Sequence, residues 1–216
     1  LDKVYTATNH TELMDAYKGW AADYDADTVD TFGYVAHKVS AEALHDALDN
    51  PGAYVLDAGC GTGALAVEAA RRGADVVAID VARGLVDVAA ERAPDEVRTR
   101  IDWRAGDMLD PVHGPHDYVV AMDSLIYYAE DDLAAALDGL AARTRDAVVF
   151  TVAPRTPFLM TFWGMGKLFP RSDRSPVMIP HGPARLSKTV SDIGQLNDLG
   201  RVNCGFYISQ ALEFRP

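Results

Sequence analysis

Cysteine is scarce in this sequence. Cys60 and Cys204 are the two in 216 residues, too few for a disulfide framework, and Cys60 lies in a glycine-rich turn where smallness is reason enough for it. Long apolar runs are missing as well: the longest, such as residues 147–153, are of strand length and far short of a membrane span. No low-complexity tract interrupts a composition that is 49% apolar and 24% charged, which is an ordinary globular balance. No signal peptide is recognisable, so the expectation is a cytoplasmic chain of one domain, large enough for a full core and too small for a second nucleotide-binding half. The six histidines are scattered, and His113 and His116 flank a Gly-Pro turn without acidic or cysteine partners, so no metal site is expected.

Positive charge is in short supply too. The net charge is −12, and 25 of the 32 acids are Asp. Such a surface disfavours nonspecific nucleic-acid binding. One segment reverses the balance: Arg155, Lys167, Arg171, Arg174 and Arg185 stand against Asp173 alone. Either an anionic ligand or membrane surface is met there, or the segment is a solvated loop.

What is present is organised around residues 54–67, YVLDAGCGTGALAV. A short apolar strand runs into Gly59, Gly61 and Gly63 and then into a helix, whose first N–H groups have no partner within the helix. Two ligands suit such a turn. Gly59, Gly61 and Ala64 fit the loose G-x-G-x-x-G/A dinucleotide pattern, whereas DAGCGTG is similar to the D/E-x-G-x-G-x-G motif of class I S-adenosylmethionine (SAM) methyltransferases. A second strand over 75–79 leads to Asp80, 21 positions past Gly59, where the ribose of either ligand is held by a carboxylate. The next strand, 101–104, ends in Gly106, Asp107 and Met108, and GDM at that place resembles the methyltransferase contact to the adenine amino group. Against this, Asp57, Asp80 and Asp107 are also the residues expected of turns and caps in an Asp-rich chain.

The remaining elements follow in order. Residues 11–25 place Leu13, Tyr17, Trp20, Ala21 and Tyr24 at helical spacing, either as a core helix or as an arm over the cofactor. A second helix spans 34–48. Beyond Asp80 come a helix over 85–92, a buried strand over 117–122, a helix over 131–143 and a strand over 147–154. The sequence DSLIYY after the fourth strand makes Asp123, Ser124, Tyr127 and Tyr128 site candidates, because ligands meet the carboxyl edge of such sheets. Residues 155–180 carry Phe158, Phe162, Trp163 and Phe169 among methionines, glycines and prolines: a lid over a flat apolar ligand, or a short core helix. A helix over 184–196 then precedes two strands, 201–207 and 208–215, close enough to form a hairpin.

DAGCGTG, ARRGADVVAID, GDM, DYVVAMDSLIYY, VVFTVAP, FWGMGKLFPRSDRSPVMIPH and GFYIS, spread over residues 54 to 216, together resemble the bacterial magnesium-protoporphyrin IX O-methyltransferases of bacteriochlorophyll synthesis. The first fifty residues look instead like the arm of Williams-Beuren-region small-metabolite methyltransferases. The resemblance implies an α/β, Rossmann-like class I methyltransferase with a mostly parallel seven-stranded sheet, a C-terminal antiparallel hairpin and helices on both faces. It implies an arm over 1–50 and a domain over 51–216 with a lid insertion at about 155–183. The implied cofactor is SAM, held by Tyr24, Asp57, Gly59, Gly61, Gly63, Asp80, Val81, Gly106, Asp107, Met108 and Asp123, with Tyr24 and Tyr127 catalytic. The implied acceptor is a magnesium porphyrin, bound by Tyr128, Arg155, Phe158, Trp163, Arg171 and Arg174. His181 is either an axial ligand to the substrate's magnesium or a structural histidine. A peripheral membrane or magnesium-chelatase contact belongs to the same expectation. The alternatives are a small-metabolite methyltransferase and a non-catalytic tetrapyrrole-binding protein.

Overall fold

Strands form where small and β-branched apolar residues alternate in runs of five or more. In the computed structural model, which describes residues 52–156, 160–161, 178–204 and 207–216, these are β1 (Tyr54–Ala58), β2 (Asp75–Asp80), β3 (Ile101–Ala105), β4 (His116–Ala121) and β5 (Thr144–Val152). Three helices intervene: α1 (Ala64–Arg71), α2 (Arg83–Arg92) and α3 (Glu130–Ala141). Helix α3 shows why. Glu130, Asp131 and Asp132 fill its first turn, facing the positive end of the helix dipole, while Leu133, Ala136, Leu137, Leu140 and Ala141 make one buried stripe. Helix α4 (Pro183–Thr189), with proline at its start, leads to β6 (Gln195–Cys204) and β7 (Tyr207–Arg215).

The seven strands order as β3-β2-β1-β4-β5-β7-β6. β1 to β5 pair in parallel, and β7 inserts antiparallel between β5 and β6. Strand alternation divides the core between two faces. Leu56, Val77, Ile79, Val119, Val148 and Phe150 point to α3 and α4, whereas Val55, Val76, Ala78 and Val120 point to α1 and α2. The expected seven-stranded sheet with helices on both faces and a terminal hairpin is the one observed. Each fully buried leucine of the first cluster stabilises it by about 1.5–3 kcal/mol.

The expected C-terminal helix is too long. It stops at Thr189, and residues 195–200 belong to β6 instead. Gly194 is the reason: a Cβ there would stand 2.3 Å from the Arg215 carbonyl oxygen and 2.5 Å from the Phe214 ring, so the chain is already pressed against β7 where a helix would have continued. Elsewhere strand and helix ends move by one to three residues, as end definitions do. The helices expected over 11–25 and 34–48 lie outside the described residues, as does most of the expected lid.

Candidate functional site

Strand order reverses between β1, which runs on to β2, and β4. In an open parallel sheet the crevice beyond that switch point is where ligands bind. The turn after β1 is docked there by its own main chain: the Gly59 and Cys60 N–H groups donate to the Ile79 carbonyl at 2.9 and 3.0 Å. Both flanking glycines are needed. Gly59 has φ +83°, and a Cβ would stand 2.5 Å from the Ser124 Cβ; Gly63 has φ +81°, and a Cβ would stand 2.4 Å from the Trp103 ring. Gly61 is different, because a Cβ there meets none of the described residues within 4 Å. Its open face is room for a ligand.

The three expected carboxylates stand at consecutive strand ends, two of them engaged in turns as well. Asp80 accepts from the Gly61 N–H at 3.0 Å through Oδ2 and from the Ala82 N–H at 2.8 Å through Oδ1. Each oxygen keeps a lone pair for a ligand hydroxyl. Asp107, exposed after β3, accepts from the Leu109 N–H at 2.9 Å. Capping and ligand binding are therefore compatible uses of one carboxylate. Asp57 is the exception: it is buried, and its Oδ2 has no hydrogen-bond partner among the described residues. Burial first, and the negative Asp80 second, push its pKa from 3.8 up to about 7, against the pull of the Ala66 N–H. Burial and the same two carboxylates also raise the Cys60 thiol well above its ordinary value, so this cysteine is an uncharged turn residue.

Val81 lies exposed beside Asp80, while Met108 turns into the core beneath the crevice. Gly106 continues the sheet edge, its N–H donating to the Asp80 carbonyl at 2.9 Å.

After β4 the chain makes a strained turn. Asp123 has φ +54°, in the left-handed region. Thr151, buried on β5, holds it there twice: the Asp123 N–H donates to Thr151 Oγ1, and that hydroxyl donates to Asp123 Oδ1, both at 2.8 Å. Ser124 is pinned as well, through Oγ to the Ala58 carbonyl at 2.7 Å. Thr151→Val keeps the shape and removes both bonds, so thermal or urea unfolding should reveal a loss of about 1–3 kcal/mol, with Thr151→Ser close to wild type. Equal stability of the valine variant would mean the turn holds without the hydroxyl.

The 3-10 turn Leu125–Tyr127 buries Leu125 and Ile126 and leaves Tyr127 exposed. Tyr127 and the half-buried Tyr128 line a cleft of about 570 Å3 together with Leu109, Asp132, Ala135 and Gly139. Burial, then Asp107 and Asp132, raise the Tyr128 phenol above its usual value, which leaves it a neutral hydrogen-bond donor. His181 meets the main chain of Tyr128. It is buried, and its Nε2 lies 3.0 Å from the Tyr128 carbonyl oxygen; its own main chain bridges the Ala153 carbonyl and the Arg155 N–H. The Nε2 contact ties the chain after the expected lid to the tyrosine pair. Arg155 is exposed at the foot of that segment. Tyr24, Phe158, Trp163, Arg171 and Arg174 lie outside the described residues.

Sequence reasoning missed Thr151, Trp103 and Arg143. Nothing in an isolated strand threonine or tryptophan marks which turn it will touch; only the pairing of β5 beside β4 and of β3 beside β2 brings them to the crevice.

Comparison with known proteins agrees with this arrangement. Residues 121–216 match the family described as "Magnesium-protoporphyrin IX methyltransferase C-terminus", and residues 55–146 match a general methyltransferase domain. The magnesium-protoporphyrin O-methyltransferase of Rhodobacter capsulatus is 56% identical over 168 residues, 78% of this chain and 74% of that relative. The Synechocystis enzyme of the same name is 29% identical over 166 residues, 76% of this chain and 72% of that relative. Among solved structures, magnesium protoporphyrin IX methyltransferase from Synechocystis PCC 6803 with bound SAH superposes with a TM-score of 0.76 at 26% identity, covering 96% of this chain and all of that one.

Proposed function

The chain belongs to the magnesium-protoporphyrin O-methyltransferase family, and from that premise we infer that it esterifies one propionate of magnesium-protoporphyrin IX with a methyl group from SAM. The observation that carries this reading is 56% identity to the Rhodobacter capsulatus enzyme across three quarters of both chains. The residues present fit the cofactor. Gly61 leaves open space beside the turn, Asp80 is fixed with lone pairs to spare for ribose hydroxyls, and the partnerless Asp57 Oδ2 would receive a donor such as the α-ammonium.

SAM, when bound, supplies an electrophilic methyl group. The residues of this chain then have little acid–base work to do. A propionate, with a pKa near that of Glu at about 4.3, is already ionised at neutral pH, so no strong base is required, and the described crevice offers none. What the chain supplies is alignment and exclusion of water from the carboxylate, effects that reach roughly 7–11 kcal/mol in well-oriented systems. Tyr127 and Tyr128 line the cleft, and in this reading their hydroxyls, that of Tyr128 neutral, orient the acceptor oxygen. The arm over 1–50 with Tyr24, the lid with Phe158, Trp163, Arg171 and Arg174, and a cytoplasmic, membrane-peripheral setting belong to the same proposal on the support of the sequence pattern. Among the described residues no helix is long and apolar enough to cross a membrane.

Incubation with SAM and magnesium-protoporphyrin IX, followed by mass spectrometry, should give a monomethyl ester and one equivalent of S-adenosylhomocysteine. Cofactor binding without ester formation would remove the porphyrin from this reading and leave the methyltransferase.

A further inference from the structure

The loop that carries Asp107 has no secondary structure to hold it, and one side chain just past the end of α3 does so. Residues 106–113 fold as two successive Asx turns, with the Leu109 N–H on Asp107 Oδ1 and the Val112 N–H on Asp110 Oδ1, both at 2.9 Å. The loop's carbonyls converge on the Arg143 guanidinium. Nη1 donates to the Asp110 and His113 carbonyls, and Nη2 donates to the Met108 carbonyl. The stem is fitted as closely as the head: a Cβ at Gly114 would stand 3.1 Å from the Arg143 Cβ and 3.2 Å from its Cδ. The Arg143 carbonyl in turn accepts the His116 N–H at 2.9 Å, the first residue of β4. One residue thus fixes the whole connection from β3 to β4.

We propose that Arg143 is a positioning residue for nucleobase recognition, holding the 106–113 loop so that Asp107 stands at the carboxyl edge of β3 to accept from the adenine amino group. The inference rests on the SAM reading of the site above. Its physical basis is the rigid planar fork of guanidinium, which reaches three divergent carbonyls at once, whereas the donors of an ammonium radiate from one point on a flexible stem. Without it, three loop carbonyls lose charge-assisted partners and Asp107 loses its fixed direction. Overall folding depends on the two apolar faces of the sheet, which Arg143 does not join.

The test compares S-adenosylhomocysteine with S-inosylhomocysteine, which carries a carbonyl in place of the amino group, by calorimetric titration. The wild type should prefer the adenosyl compound by about tenfold or more, the discrimination typical of a lost polar pair. Arg143→Lys and Arg143→Ala should bring that ratio close to one by weakening the adenosyl compound selectively, and millimolar guanidinium should restore preference to the alanine variant. A wild type without preference would sink the adenine reading of Asp107 itself. Variants that keep the full preference while melting at lower temperature would make Arg143 merely structural and overturn the proposal; should the alanine variant not fold, the lysine variant decides.

Discussion

Asp80→Ala should weaken S-adenosylhomocysteine binding by about 100-fold or more, while the fold stays intact. Hydrogen bonds to a charged group contribute roughly 1.5–3 kcal/mol each, and two kinds are lost together. The ribose hydroxyls lose their acceptor, and the Gly61 N–H loses the oxygen that holds the turn open at 3.0 Å. Stability should move far less than affinity, because two effects oppose. The Gly61 and Ala82 N–H groups lose a partner, but Asp57 loses a negative neighbour that raises its pKa. Asp80→Asn should not rescue binding: one end of the amide is a donor and would face one of those two N–H groups. Calorimetric titration checks the prediction, and unchanged affinity in either variant would place the cofactor elsewhere.

How much of this was legible in the sequence depended on the range of the interaction involved. The sheet was readable because each strand announces itself locally, in runs such as DVVAID and DYVVAM, and because the glycine turn fixes where the first helix begins. The carboxylate at the end of each of the first three strands was readable for the same reason. The C-terminal helix was misjudged because its stop is set by Phe214 and Arg215, twenty residues further on, pressing on Gly194; no local signal carries that. Thr151 and Arg143 were invisible on similar grounds. A threonine in a strand and an arginine after a helix are ordinary locally, and only the parallel pairing of β4 with β5 brings Thr151 to Asp123. His181 was legible as a candidate but its contact was not, since that contact is a main-chain carbonyl rather than a motif.

Asp57 is where stability and function pull apart, and Asp57→Asn should raise the first and lower the second. The folded protein holds the Asp57 proton up to about pH 7, whereas the unfolded chain releases it near 3.8. Between those values the folded state binds more protons, so Asp57's contribution falls as pH rises, and above pH 7 it is a burden of about 4 kcal/mol at 1.36 kcal/mol per pH unit. Asparagine has the same shape and no charge to bury. Urea unfolding at pH 5 and pH 8 should therefore find the variant gaining on the wild type as pH increases; a difference that stays constant would mean that Asp57 does not titrate in this range. Ligand binding should respond in the opposite sense. A proton on Oδ2 competes with the cationic group that this partnerless oxygen would receive, so wild-type affinity for S-adenosylhomocysteine should weaken as pH falls through 7. The asparagine variant should bind more weakly at pH 8 and lose that pH dependence. A carboxylate kept in a buried position against its own solvation, beside a second carboxylate, is the arrangement expected where strain at a site is offset by the ligand it accepts.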